Sequence, residues 1–185
     1  MTDPAEPREL PPLEMEPATE ADLAVIAEQL GREPRGVLGV GARCACGNPV
    51  VVVTSPRLPN GAPFPTLFYL THPAATAAMS TLEAEQLMVE MQGRLAEDEG
   101  LRAAYARAHA SYLADRESIE RVEELDGITV GGMPTRVKCL HALAGHALAK
   151  GPGLNPIGDW ALEASSWSRD RCACADPGRA VRAEG

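Results

Sequence analysis

Val50-Val51-Val52-Val53-Thr54 is an unbroken run of β-branched residues, and its reading decides the fold. Such residues stack well on a pleated surface, and a run without polar alternation fits a strand buried on both faces. Upstream, Val37 to Arg43 reads as a second strand. Cys44-Ala45-Cys46-Gly47-Asn48-Pro49 between them has turn composition, so the two form an antiparallel hairpin. Downstream, Pro56 to Pro65 carries four prolines and Asn60-Gly61, a loop too long for a tight turn. Thr66-Leu67-Phe68-Tyr69-Leu70 reads as the third strand.

The rest reads as helix. Thr19 is a candidate N-cap with Asp22 three residues on, and Leu23, Ile26, Ala27 and Leu30 make one apolar stripe that Gly31 ends. From Pro73 to about Glu124 the chain is rich in Ala, Glu, Leu and Arg, with stripes at Met88, Met91, Leu95 and at Leu101, Tyr105, Ala108, Tyr112. That predicts a helical hairpin with a break near Gly100. A further helix is expected over Pro134–Lys150, closed by Gly151, and a short one around Trp160. The expectation is an α+β fold: a small antiparallel sheet of about three strands packed against four or more helices. Residues 1–18 are acidic and Pro-rich and read as a disordered tail, 19–167 as a single globular domain, and 168–185 as a flexible polar tail.

The chain has 185 residues and a formal net charge of −9, which argues against a nucleic-acid partner, because phosphate binding needs a basic face. No apolar run approaches the roughly 20 residues that span a bilayer, and the acidic N-terminus lacks a signal-peptide core. A cytoplasmic location is therefore expected, with no membrane partner. Five cysteines, an odd number, read as free thiols or ligands rather than a disulfide framework.

Gly131-Gly132-Met133-Pro134-Thr135-Arg136-Val137-Lys138-Cys139-Leu140-His141-Ala142-Leu143-Ala144-Gly145-His146 is the densest in chemistry. Gly131 and Gly132 before a helix leave first-turn N–H groups open to an anion, with Arg136 and Lys138 adding charge, although the spacing of a phosphate-binding P-loop is absent. Cys139 and His146 share a helical face but stand about 10 Å apart along it, too far to touch. Cys139, His141, His146 and His72 are the candidate catalytic residues. Arg43, Arg57, Gly131, Gly132, Arg136, Lys138 and Asn155 are candidate ligand contacts. At least three of Arg43, His72, Lys138, His141 and His146 are expected to line one cleft near Gly132. Lys138 and the early-helix position would lower the Cys139 pKa; against this stands a plain packing role for Cys139 and His146. The pairs Cys44/Cys46 and Cys172/Cys174 are Cys-x-Cys rather than the commoner zinc spacing Cys-x-x-Cys, and the second lies in the expected tail. No metal and no cofactor are expected.

Gln29-Leu30-Gly31-Arg32-Glu33-Pro34-Arg35-Gly36, Pro56-Arg57-Leu58-Pro59 with Pro63-Phe64-Pro65-Thr66-Leu67, Leu70-Thr71-His72-Pro73, and Val137-Lys138-Cys139-Leu140-His141 with Asn155-Pro156 resemble the uncharacterised actinobacterial domain of unknown function family 501. The resemblance spans roughly residues 20–160. It implies a cytoplasmic bacterial protein whose gene neighbours encode enolase, a septum-formation initiator and an exopolyphosphatase, and it implies no activity. Two readings stay open: a small anionic-ligand (phosphate-type) or enzyme-like site at Gly131-Gly132, or a non-catalytic partner-binding protein of the division or polyphosphate machinery. Convergence of the motifs on one pocket favours the first, and scatter the second.

Overall fold

The computed structural model describes residues 10–182. A four-stranded antiparallel sheet, in the order β1-β2-β3-β4, is built from β1 (Glu16–Pro17), β2 (Val37–Arg43), β3 (Pro49–Thr54) and β4 (Phe68–Leu70). Every residue of β3 is buried, which is why it can be β-branched throughout. The helices are α1 (Glu20–Leu30), α2 (Pro73–Ala84), α3 (Leu87–Glu97), α4 (Glu99–Ile119), α5 (Leu140–Lys150), α6 (Pro156–Ala164) and α7 (Arg179–Arg182). This is the expected α+β class, with one strand more than the sequence suggests.

Helix α5 is the centre of the packing. It lies against β4, β2 and β3 of the sheet and is flanked by α2 and α6. Its Leu140, Leu143 and Ala144 are fully buried with Val51, Val53 and Phe68 in the main core. Tyr112 of α4 closes that core edge-on to Phe68 and accepts a hydrogen bond from the Leu67 amide. Helix α1 starts as expected, with a reciprocal capping box between Thr19 and Asp22.

Both expected tails are partly built into the fold. Residues 1–9 and 183–185 lie outside the described residues. Within residues 10–18, β1 adds an edge to β2, and the Pro11 and Pro12 carbonyls each accept a hydrogen bond from Lys150 Nζ at 2.8 Å. At the other end, α7 packs on α1, and Ala180 is buried. Asn48 in the β2–β3 turn clamps this segment: its Nδ2 donates to the Asp176 carbonyl at 2.8 Å, and its Oδ1 accepts from the Ala180 amide at 3.1 Å. Polar composition hid these contacts, because they are made by backbone groups rather than by apolar side chains.

Candidate functional site

The helix expected from Pro134 starts only at Leu140. The preceding loop folds back on itself, with the Arg136 amide on the Gly132 carbonyl and the Lys138 amide on the Gly131 carbonyl, both at 2.8 Å. Gln92 of α3 accepts from the Val137 amide and donates to the Thr135 carbonyl, and Tyr105 donates to the Arg136 carbonyl. These long-range bonds hold residues 135–137 out of the helix. Gly131 and Gly132 have φ of 66° and 92°, and a Cβ would stand 2.6 Å from Leu143 and 2.5 Å from the Arg136 carbonyl oxygen respectively. The two glycines thus serve the tight turn. Of the first-turn amides that an anion was expected to use, that of Leu140 is occupied, donating to Glu83 Oε1 at 2.7 Å. Arg136 and Lys138 point to solvent.

Glu83, on α2, is the residue that sequence reasoning missed. The same Oε1 lies 3.2 Å from His141 Nδ1, and the other ring nitrogen, Nε2, lies 3.1 Å from the Thr76 carbonyl and 3.2 Å from Ser80 Oγ. A carboxylate and a carbonyl can only accept, so these two contacts favour a proton on each ring nitrogen, the imidazolium form, while the Ser80 hydroxyl can serve as donor or acceptor. Cys139 completes the group: its Sγ, a His141 ring nitrogen and a Glu83 oxygen lie within 4.8 Å of one another. The contact with Cys139 and the charge of Glu83 raise the His141 pKa to about 9, against burial. Reciprocally, His141 lowers the Cys139 pKa, outweighing burial, with a smaller contribution from the Ala142 amide and opposition from Glu83. The expected depression of the thiol is present, and His141 rather than Lys138 is its main cause.

Cys139 and His141 border a cavity of about 290 Å³ that also touches Tyr69, Leu70 and Thr76. A second cavity of about 430 Å³ shares those three residues and extends to Gln29, Leu30 and Ser80. A third, of about 330 Å³, shares Leu30 and Tyr69 and runs on to Arg32, Arg35 and Phe64. The three share lining residues in series, with Cys139 and His141 at the first and the exposed Arg32 and Arg35 at the third. Residues of two quoted motifs, Arg32 and Arg35 from one and Leu58 and Phe64 from the other, line the third cavity together.

The remaining candidates go elsewhere. His146 is fully buried, stacked on Phe68 at 5.3 Å, and accepts from Asn155 Nδ2 on Nδ1 at 3.1 Å. Burial lowers its pKa to about 3, so it is a neutral core residue and does not act with Cys139. Asn155 also caps α6, accepting from the Gly158 amide at 3.0 Å. Arg43 binds buried Asp22 through both guanidinium Nη atoms, at 2.7 and 3.0 Å, and reaches Glu16 with Nε at 2.6 Å, tying β1, α1 and β2 together. Arg57 pairs with Glu124 and Glu120 and so fixes the 56–65 loop. His72 is buried at the start of α2, beside Cys174. The expected cleft near Gly132 is therefore not assembled from these groups; of the candidate histidines, only His141 meets the thiol.

Residues 40–163 match the family described as protein of unknown function DUF501. The chain belongs to that family. The matched span contains Glu83, Cys139 and His141, and ends before Cys172 and Cys174. Comparison with curated proteins and with solved structures returned no match. Among the described residues of this DUF501 chain, no helix is long and apolar enough to cross a membrane.

Proposed function

We propose that this DUF501 protein has an enzyme-like site in which Cys139 is a thiolate nucleophile, His141 its imidazolium counter-ion, and Glu83 the group that holds His141. The observation that carries the reading is the placement of both His141 nitrogens against acceptor-only atoms beside a half-buried thiol at a cavity mouth. A fixed positive charge next to a sulfur favours the thiolate, which is the reactive form. In such chemistry the sulfur electron pair forms an S–C bond to an electrophilic carbon, and the bond from that carbon to the leaving group breaks. The anionic-ligand reading moves from Gly131-Gly132 to the third cavity, where Arg32 and Arg35 would receive a carboxylate or phosphate of the substrate. The partner-binding alternative, in division or polyphosphate metabolism, rests on the resemblance alone.

The test is iodoacetamide alkylation of the native protein at pH 6.5, with each cysteine quantified by peptide mass spectrometry. Cys139 should react at least about tenfold faster in the wild type than in His141→Gln, since one pKa unit changes the thiolate fraction tenfold. Equal rates, or a Cys139 that stays unlabelled until the protein unfolds, would remove the nucleophile and favour partner binding.

A further inference from the structure

The two Cys-x-Cys pairs, whose spacing fits the known metal patterns poorly, meet in space. The sulfurs of Cys44, Cys46, Cys172 and Cys174 lie within 4.8 Å of one another, although Cys46 and Cys174 are 128 residues apart in sequence. Two come from the β2–β3 turn and two from the segment that leads into α7. Cys46 and Cys174 approach to 3.5 Å. That is well beyond a disulfide bond of about 2.05 Å. It is close to the edge of about 3.8 Å of a tetrahedron whose metal–sulfur bonds are about 2.3 Å. Four sulfurs gathered within 4.8 Å of one another can close around a single ion.

The surroundings are those of a loaded thiolate site. His72 Nδ1 accepts from the Ala75 amide, which leaves the proton on Nε2, and Nε2 lies 3.2 Å from Cys174 Sγ. A ring N–H donating to a ligating sulfur is the usual outer-shell support of a metal centre. His72 is held in turn by Trp167, with ring centroids 5.5 Å apart. The His72 donor offsets part of the excess negative charge of four thiolates on one divalent ion. The turn that presents Cys44 and Cys46 is fixed by its own bonds, Cys44 N to the Asn48 carbonyl at 2.9 Å and Gly47 N to the Cys44 carbonyl at 2.8 Å. Ala45 N bonds the Arg169 carbonyl at 2.9 Å, bringing the second pair alongside.

We infer that Cys44, Cys46, Cys172 and Cys174 bind one zinc ion in a tetrahedral all-thiolate site, with His72 as outer-shell donor to Cys174, and that the ion staples the C-terminal segment to the β2–β3 turn. All four positions are filled by protein sulfur, so the site is closed to substrate and its role is structural. It is separate from the Cys139 group, and neither proposal depends on the other.

The experiment is elemental analysis of the full-length protein purified under reducing conditions without chelator, followed by replacement of the ion with cobalt. One zinc per chain is expected. Cobalt should give the intense visible bands and sulfur-to-metal charge transfer of a tetrahedral all-sulfur site. Cys174→Ser should weaken both, and chelation should lower Tm by roughly 10 °C. His72→Phe should leave the stoichiometry at one and shift the cobalt charge-transfer band. Reduced, metal-free thiols that bind no cobalt would overturn the inference, as would disulfides among these four cysteines or iron in place of zinc. Should Cys174→Ser fail to fold, the wild-type cobalt spectrum alone decides.

Discussion

Replacing Lys150 with methionine should cost about 3–5 kcal/mol of unfolding free energy, the usual loss when one partner of a buried ion pair is removed. The Lys150 side chain is only 3% exposed and that of its partner Asp115 5%, with Nζ 2.8 Å from Oδ2. The same nitrogen holds the Pro11 and Pro12 carbonyls, so the N-terminal strap would be lost with the pair. Burial already raises the Asp115 pKa, and Lys150 is what counters it. Without Lys150, Asp115 must take up a proton or stay buried as an unpaired charge. The double variant Lys150→Met, Asp115→Leu should recover most of the loss, since apolar groups of similar volume often replace a buried pair without penalty. Guanidinium denaturation of the three proteins measures both effects. A single variant within about 1 kcal/mol of wild type would mean that the pair contributes little.

Gly158→Ala should be of similar size, about 3 kcal/mol or more, by overpacking. A Cβ at Gly158 would stand 2.2 Å from the Leu143 carbonyl oxygen and 2.8 Å from Ala147 Cβ. Neither is the end of a flexible side chain, so α6 would have to move off α5. Because α5 carries His141, the same variant should also slow Cys139 alkylation. An unchanged denaturation midpoint would show that the two helices separate at little cost.

The parts of the fold set by local chemistry could be read directly. The strand at Val50–Thr54 and the helix from Thr19 to Gly31 are specified by β-branched residues, a capping box and a terminal glycine, all within a few positions. The start of α5 could not be read, because Gln92 and Tyr105 compete for the backbone from 31 to 45 residues away. Glu83 carries no local signal: it meets His141 across 58 positions, and an exposed-looking glutamate on an Ala-rich helix resembles any other. Cys139 and His141 were legible as reactive groups, but the tie between them depends on that distant carboxylate. The cysteine pairs failed for the opposite reason. Each pair is visible in the sequence, but the hold of Asn48 on residues 176–180 and of Ala45 on Arg169, which make the second more than a free tail, is not.

An NMR pH titration of the His141 ring decides whether it is a fixed cation beside a reactive thiol. Its pKa is raised from 6.5 to about 9 in the folded protein. A base whose folded pKa is raised adds stability that is fully present below pH 6.5 and is lost as the pH rises through about 9. Ring nitrogen shifts of a doubly protonated imidazolium are expected throughout neutral pH, with a midpoint near 9 and a lower midpoint in Cys139→Ser, because the thiol is the largest cause of the rise. A midpoint at or below 6.5 that does not move in Cys139→Ser would contradict a fixed cation.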